Sequence, residues 1–265
     1  MLESIFGKQT IRELANKYKV SEKTIRRKLF LVNNPRIVPL RQPVVVCIDT
    51  TYWRRTFGLL VVQDYITRKI LWYDYVKYEK LEAYKRGIQW IENNGFTIVA
   101  IVCDGLKGLT SAFPSSPIQL CIFHQKAAIK RYLTNNPKLA PAIELKSIIS
   151  TFTDTDKESF TELFDEWYDR WKYFINERKI DTETGEKYYV HKRLRSAYLS
   201  LKRNMPYSWI WYDYSELNLP KTNNTLESFF SHLKRNLNLH NGLSKEHKKT
   251  FINEYIRNKN LIQKA

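Results

Sequence analysis

The chain has 265 residues, 43% of them hydrophobic and 14% aromatic, which is enough to bury the core of one ordinary domain with a small appendage and excludes a disordered protein. Its 44 lysine and arginine residues against 27 acidic ones give a net charge of +17, which indicates an acidic partner such as nucleic acid or an anionic membrane surface. Three scattered cysteines are too few for a disulfide framework, and no apolar run can span a bilayer, so we expect a cytoplasmic protein without a membrane partner.

The positive charge is concentrated at the two ends of the chain. Residues 1–41 hold ten basic and three acidic side chains, and residues 221–265 hold nine and three, whereas the middle holds 25 and 21. The ends are therefore basic and the middle is nearly balanced. The same surplus would also suit the solvated faces of a generally basic protein.

Residues 1–32 predict a helix-turn-helix. Thr10 caps the first helix with Glu13 three residues later, and Ser21 caps the second. Lys19 stands in the turn, where glycine is common, and too little sequence precedes Thr10 for a full three-helix domain. Because the second helix of such a pair enters the DNA major groove, we expect DNA contacts from its outward-facing cations, Lys23, Arg26, Arg27 and Lys28. The alternative is an ordinary amphipathic helical hairpin.

A linker at residues 33–43 precedes the first part of a predicted core, residues 44–134. Continuous apolar runs indicate strands buried on both faces, and apolar residues at helical spacing indicate the helices between them. The predicted strands are Pro43–Asp49, Phe57–Gln63, Ile70–Tyr78, Thr97–Cys103 and Ile118–Phe123, and the predicted helices are Leu81–Asn93 and Gln125–Thr134. Strands followed by helices in this order predict an α/β fold.

Residues 135–220 predict a helical insertion, because they are charged and aromatic-rich without strand-like apolar runs. Phe160, Leu163, Phe164, Trp167 and Trp171 fall at helix spacing, which favours a helical core; the alternative is that these rings stack on splayed bases. Residues 221–265 predict the final core helix, capped at Asn223-Asn224-Thr225, and a basic helix over Leu243–Ile262.

Two aspartates, Asp49 and Asp104, each follow a strand of apolar residues. Burying an unpaired carboxylate is costly, so a shared divalent cation would explain both acids, and Glu227 can add a third carboxylate from the start of its helix. Such sites cleave phosphodiesters. For each residue alone the alternative is a local cap. Asp64 and Asp74 close no apolar run, and we expect them at the surface.

Several motifs resemble those of mutator-type transposases of bacterial insertion sequences. Ile48-Asp49, Cys103-Asp104-Gly105, Cys121-Ile122-Phe123-His124 and Asn223-Asn224-Thr225-Leu226-Glu227 match the family's first Asp, second Asp, C-x-x-H and N-T-x-E motifs, and the run from Leu233 to Leu243 is similar as well. The resemblance covers about residues 8 to 256. One departure is that members commonly carry more N-terminal DNA-binding sequence, often a zinc ribbon.

The resemblance implies a ribonuclease H-like fold: a five-stranded mixed sheet with flanking helices, interrupted by a helical insertion between the second Asp and the Glu. It implies a DNA transposase in which Asp49, Asp104 and Glu227 hold Mg²⁺, with Mn²⁺ as a substitute. Such an enzyme nicks transposon ends with water and joins the freed 3′-hydroxyl to target DNA. Its partners would be terminal inverted repeats, target DNA and a second copy or more of itself, in the bacterial cytoplasm at the nucleoid.

Cys121 and His124 have the spacing of metal ligands, but a zinc site needs about four ligands and no second pair stands near. We therefore predict a structural or substrate-positioning role for both residues and for His240. Further candidate DNA contacts, which are equally compatible with a solvated face, are Lys126, Lys130, Arg131, Lys234 and Arg235. Two alternative functions stay open: a truncated or domesticated relative that binds DNA without chemistry, and a structure-specific nuclease of the same fold.

Overall fold

The computed structural model describes residues 9–29, 43–54, 56–106, 108–240 and 242–262, and its fold is α/β. One mixed sheet is formed by β1 (Pro43–Trp53), β2 (Phe57–Asp64), β3 (Ile70–Val76), β4 (Thr97–Cys103) and β5 (Ile118–Leu120). The strand order is β3-β2-β1-β4-β5, with β1–β2 and β2–β3 antiparallel and β4–β5 parallel. The five-stranded mixed sheet with its flanking helices confirms the predicted α/β fold class and is consistent with a ribonuclease H-like fold.

The helices account for most of the remaining described residues. They are α1 (Ile11–Tyr18), α2 (Glu22–Leu29), α3 (Leu81–Asn93), α4 (Leu109–Ala112), α5 (Ile122–Leu133), α6 (Ala140–Ser150), α7 (Lys157–Ile175), α8 (Lys192–Ser208), α9 (Ile210–Asp213), α10 (Asn224–Asn238) and α11 (Lys245–Ile262). Among these described helices, none combines the length and the apolar character that a membrane crossing requires.

The described residues fall into two compact units, one drawn from residues 1–99 together with 224–265 and the other from residues 100–223. In the first unit, α3 packs on β2 and β3, and α10 packs on β1 and α11. Gly87 lets α3 lie directly on the sheet, because a Cβ at this position would come within 2.7 Å of the Trp72 ring.

The two N-terminal helices confirm the predicted helical pair. The backbone N–H of Glu13 donates to Thr10 Oγ1 at 3.2 Å, and the Thr10 N–H donates to Glu13 Oε2 at 2.6 Å, which completes a capping box. Lys19 adopts the left-handed conformation, with φ of 51°, that glycine usually takes in this turn. The helices pack through a small apolar cluster of Ile11, Leu14, Ala15 and Ile25.

β1 is longer than its apolar run predicts. It continues through Asp49 to Trp53, because the whole of β2 pairs with its C-terminal part, from Val46 opposite Asp64 to Trp53 opposite Phe57. The prediction that a strand ends at Asp49 is therefore wrong, and this carboxylate lies inside a strand. Antiparallel pairing extended the strand beyond the point where its own composition turns polar.

β5 is shorter than predicted. It ends at Leu120, and α5 begins at Ile122 rather than Gln125, so the predicted strand through Phe123 is wrong. The N–H of Cys121 still donates to the Cys103 carbonyl at 2.7 Å, and the chain turns into the helix directly after this bond. An apolar run that continues from a strand into a buried helix turn shows no boundary in its composition.

Asp64 is buried, with 5% of its surface exposed, which corrects the prediction that it lies at the surface. Its carboxylate accepts the N–H groups of Ile66 (3.3 Å) and Thr67 (3.2 Å) and the Thr67 hydroxyl, and so caps the β2–β3 turn. Asp74, in contrast, is half-exposed and forms an ion pair with Arg86 at 2.8 Å.

The aromatic residues of the insertion form the core of the second unit. Phe152 stacks on Phe160 with ring centroids 4.2 Å apart, and Trp209 packs against both rings. Phe164 and Trp167 are also buried, against Tyr198. The core interpretation is therefore confirmed over base stacking for these rings. Leu163, at 42% exposed, faces away from that core.

The insertion also contains a short hairpin that the sequence did not predict. β6 (Arg178–Ile180) pairs with β7 (Lys187–Tyr189) in an antiparallel, two-stranded sheet. Each strand has only three residues; half of the six are charged, and all but Tyr189 are exposed. Such segments carry no alternating apolar pattern, which is the signal that predicts a half-buried strand.

Candidate active site

Asp49 is a buried carboxylate in the middle of a strand. Only 7% of the residue is exposed, and its neighbour Ile48 is fully buried. Its Oδ1 accepts the N–H of Thr50 at 2.7 Å. A carboxylate among Val, Ile and Leu side chains adds nothing to apolar packing and costs free energy to desolvate, so a position of this kind is a candidate for function.

The register of β1 and β2 defines which side chains share the face of Asp49. Cys47 and Asp49 are two residues apart and therefore point to the same side of the sheet. Gln63 stands opposite Cys47, and Val61 stands opposite Asp49. Directly opposed residues of an antiparallel pair also point to the same side, so Gln63 lies on the face that carries Asp49.

Helix α10 is attached to this same face. The Thr225 hydroxyl, in the first turn of α10, donates to Gln63 Oε1 at 3.0 Å. Gln63 is fully buried, and its Nε2 donates to the Arg68 carbonyl at 3.0 Å, so both ends of its amide are held. Glu227 follows Thr225 by two residues and is half-buried. The first turn of α10 therefore begins at the Asp49 face of the sheet.

We expect Thr225→Val to weaken this attachment without changing the size of the side chain. The substitution leaves Gln63 Oε1 buried without the hydroxyl that it accepts from, which should lower the free energy of unfolding by about 1–2 kcal/mol. Urea denaturation checks the stability. Thr161→Val is a matched control, because that hydroxyl donates to the carbonyl of Lys157 within helix α7. Equal stability of Thr225→Val and wild type would show that the bond does not hold the helix.

In the second unit, Asp104 follows β4 directly and is half-buried. The next residue is Gly105, where a Cβ would come within 3.2 Å of Gln125 Nε2. Gln125 is buried, and its Oε1 accepts the side-chain amide of Asn204 on α8 at 2.8 Å. The backbone after Asp104 therefore lies close to a pair of bonded amides that sequence reasoning missed, because isolated Gln and Asn residues 79 positions apart show no pattern.

Cys121 links the two ends of the insertion in the second unit. It is fully buried, and its Sγ accepts the N–H of Asn223 at 3.3 Å. His124 is half-buried in the first turn of α5, with its ring against Phe123. In the first unit, His240 is buried with its ring 5.1 Å from that of Phe251. The Cys121 and His240 contacts are of the kind that supports local structure.

The cations predicted to contact DNA differ in whether their side chains are exposed or already engaged within the protein. Lys126 is engaged inside its own unit, because its Nζ donates to the Ser150 carbonyl at 2.9 Å and to Thr153 Oγ1 at 3.1 Å, and burial lowers its pKa. Lys234 lies over the Trp53 ring at 5.9 Å. The other candidates have exposed side chains: Lys23, Arg26, Arg27 and Lys28 on α2, Lys130 and Arg131 on α5, and Arg235 on α10.

Comparisons with known proteins add little to this description. No protein-family model matches the chain, and no curated protein matches it. Among solved structures, the chain is similar to a chain in the cryo-electron microscopy structure of the simian T-cell lymphotropic virus intasome in complex with PP2A regulatory subunit B56 gamma. The identity is 14% and the TM-score 0.25, over 73% of this chain and 72% of that chain. The case for a function therefore rests on the chain's own residues.

Proposed function

We propose that this chain is a DNA transposase that cleaves transposon ends and joins them to target DNA, with Asp49, Asp104 and Glu227 as its metal-binding carboxylates. The observation that carries the proposal is the Thr225–Gln63 hydrogen bond, which attaches the first turn of α10 to the sheet face of Asp49. The bond supports the proposal because it brings the helix turn that carries Glu227 to the sheet face of Asp49, although the two acids are distant in sequence.

The residues fit a hard divalent cation. Asp49, Asp104 and Glu227 offer carboxylate oxygens, the ligands that Mg²⁺ prefers, and Mn²⁺ accepts the same set. When bound, a metal pair activates the attacking oxygen and stabilises the leaving oxygen of a phosphodiester. The protein's own part is to hold its carboxylates in fixed positions, which the buried strand does for Asp49 and the Gln63 amide does for the start of α10.

The charge of the chain supports nucleic acid as the substrate. A surplus of +17 and the exposed cations of α2 and α5 suit the phosphates of terminal inverted repeats and target DNA. Because two transposon ends must be brought together, we propose a dimer or larger assembly on DNA. The setting that we propose is the bacterial cytoplasm, at the nucleoid.

A strand-transfer assay tests the proposal. Labelled duplexes carrying any inverted repeats that flank the coding region would be incubated with the full chain, a target plasmid and Mg²⁺, with EDTA and scrambled ends as controls. We expect joined products that require both Mg²⁺ and the repeats. Cutting of branched DNA without a joined product would replace the proposal with a structure-specific nuclease. A gel shift without cleavage in Mg²⁺ or Mn²⁺ would replace it with a non-catalytic DNA-binding protein.

A further inference from the structure

The C-terminal helix α11 is bonded to the edge strand β3 in the first unit. Asn260 uses both ends of its amide on one residue: its Nδ2 donates to the Ile70 carbonyl at 2.9 Å, and its Oδ1 accepts the Ile70 N–H at 2.9 Å. Further along, the Tyr75 hydroxyl bonds to the Lys249 carbonyl (2.9 Å) and to Asn253 Oδ1 (2.8 Å). These bonds hold α11 against β3.

The Asn260–Ile70 bonds bring together two segments that each carry a cation. Lys259 precedes Asn260, and Arg68 stands two residues before Ile70. The Lys259 ammonium lies 4.4 Å from the centroid of the Phe229 ring on α10, and the Arg68 guanidinium lies over the ring of Tyr65 at 5.2 Å. Burial, and secondarily the positive charge of Arg68, lower the pKa of Lys259 to about 8.

Neither Arg68 nor Lys259 forms an ion pair within the described part of the chain, and the nearby carboxylate of Asp64 instead accepts bonds from Ile66 and Thr67. The other cations of α11 differ: Lys249 pairs with Glu246 at 3.4 Å, and Arg257 pairs with the buried Glu254 at 3.5 Å. Two like charges held together, one of them partly desolvated, cost stability. Such an arrangement is explained if an anion binds between them.

We infer that Arg68 and Lys259 form a binding site for a backbone phosphate of duplex DNA. A guanidinium and an ammonium together match the charge and the several acceptor oxygens of a phosphate diester. The site adjoins the start of α10, because Gln63 bonds both the Arg68 carbonyl and Thr225, and because Phe229 follows Glu227 by two residues. A phosphate held there would position the DNA without reading its sequence. The inference rests on the proposed function in taking DNA as the partner.

The experiment measures DNA affinity of the full chain against salt concentration, in EDTA so that no cleavage occurs. Lys259→Met and Arg68→Asn remove the charges, and asparagine suits the φ of +59° at position 68. We expect each variant to weaken binding of any duplex sequence about tenfold and to reduce the salt slope by about one. Lys85→Met, which removes an exposed cation from α3, is the matched control, with a smaller effect expected.

Inorganic phosphate provides a second probe of the same site. Added phosphate should shift the NMR signal of the Lys259 side chain in wild type, and Arg68→Asn should abolish that shift. Lys259→Met should raise the melting temperature, because it removes a partly buried charge, so weaker binding by that variant could not come from unfolding. An unchanged salt slope in both variants would overturn the inference, even if inorganic phosphate still shifted the Lys259 signal.

The two proposals fail in different ways. If no strand transfer is detected but Lys259→Met reduces the salt dependence of DNA affinity, the phosphate site is supported and the transposase proposal is contradicted. If strand transfer is detected but the salt dependence of DNA affinity is unchanged in the variants, the transposase proposal is supported and the phosphate site is contradicted.

Discussion

Asp49→Asn should reduce Mg²⁺-dependent cleavage and joining by about 10³-fold or more, while DNA binding stays at its wild-type strength. Asparagine keeps the shape of the side chain and can still accept the Thr50 N–H through its amide oxygen, but it removes the charge that binds the metal. We expect the same loss for Asp104→Ala and Glu227→Gln. Labelled-end cleavage and joining assays measure the activity, and a gel shift in EDTA measures binding.

Asp74→Asn is the matched control for Asp49→Asn. Asp74 also lies in a strand of the same unit, and its Oδ1 accepts the next residue's N–H at 2.8 Å, as Asp49 does at 2.7 Å. Asp74 is half-exposed, and we expect its variant to keep full activity. Retained strand transfer by Asp49→Asn would contradict the assignment of Asp49 as a metal ligand.

The thermal stability of Asp49→Asn distinguishes a metal ligand from a structural residue. Removing a desolvated charge should leave the melting temperature in EDTA unchanged or raise it. A ligand should also make wild type gain stability from added Mg²⁺ by mass action, and the variant should lose that gain. A large fall in melting temperature in EDTA would instead indicate that Asp49 is needed for folding.

Phe160→Ala should destabilise the insertion by about 3–5 kcal/mol, the usual cost of emptying a buried aromatic site. Phe160 is fully buried, stacked on Phe152 and packed against Trp209, so its loss leaves a cavity that neighbouring rings cannot fill. Urea denaturation followed by tryptophan fluorescence measures the change, because Trp209 reports on this core directly.

Leu163→Ala is the control for Phe160→Ala, since Leu163 lies on the same helix but is 42% exposed. We expect it to cost less than about 1 kcal/mol. Equal effects of the two variants would contradict the assignment of Phe160 to the core. Loss of DNA binding by Phe160→Ala with unchanged stability would favour the alternative in which these rings stack on bases.

Elements with a strong local signal were predictable from the sequence. The apolar run of β4 and the helical spacing of α3 were predicted with the bounds that the structure has, Thr97–Cys103 and Leu81–Asn93. The capping box at Thr10 and Glu13 was predictable for the same reason, because it depends on residues three positions apart. Periodicity and caps are local properties, so no knowledge of the fold is needed to recognise them.

Features that depend on a distant partner were not predictable. β1 continues past Asp49 because β2 pairs with it. The apolar run predicts Asp49 at the end of a strand, whereas it lies inside β1. It remains a candidate because a charge inside a buried strand requires an explanation even more than one at its end.

The candidate site also combines properties that the sequence alone determines with contacts that only the folded chain forms. The sequence by itself determined the identities of its acids, the α/β order of elements and the basic character of the chain. The tertiary structure alone decided that α10 begins on the Asp49 face, through the bond from Thr225 to Gln63. It also decided that the segments carrying Lys259 and Arg68 meet, through the bonds of Asn260 to Ile70. A sequence specifies which side chains can bond, but bonds between residues 162 or 190 positions apart form only when the folded chain brings them together.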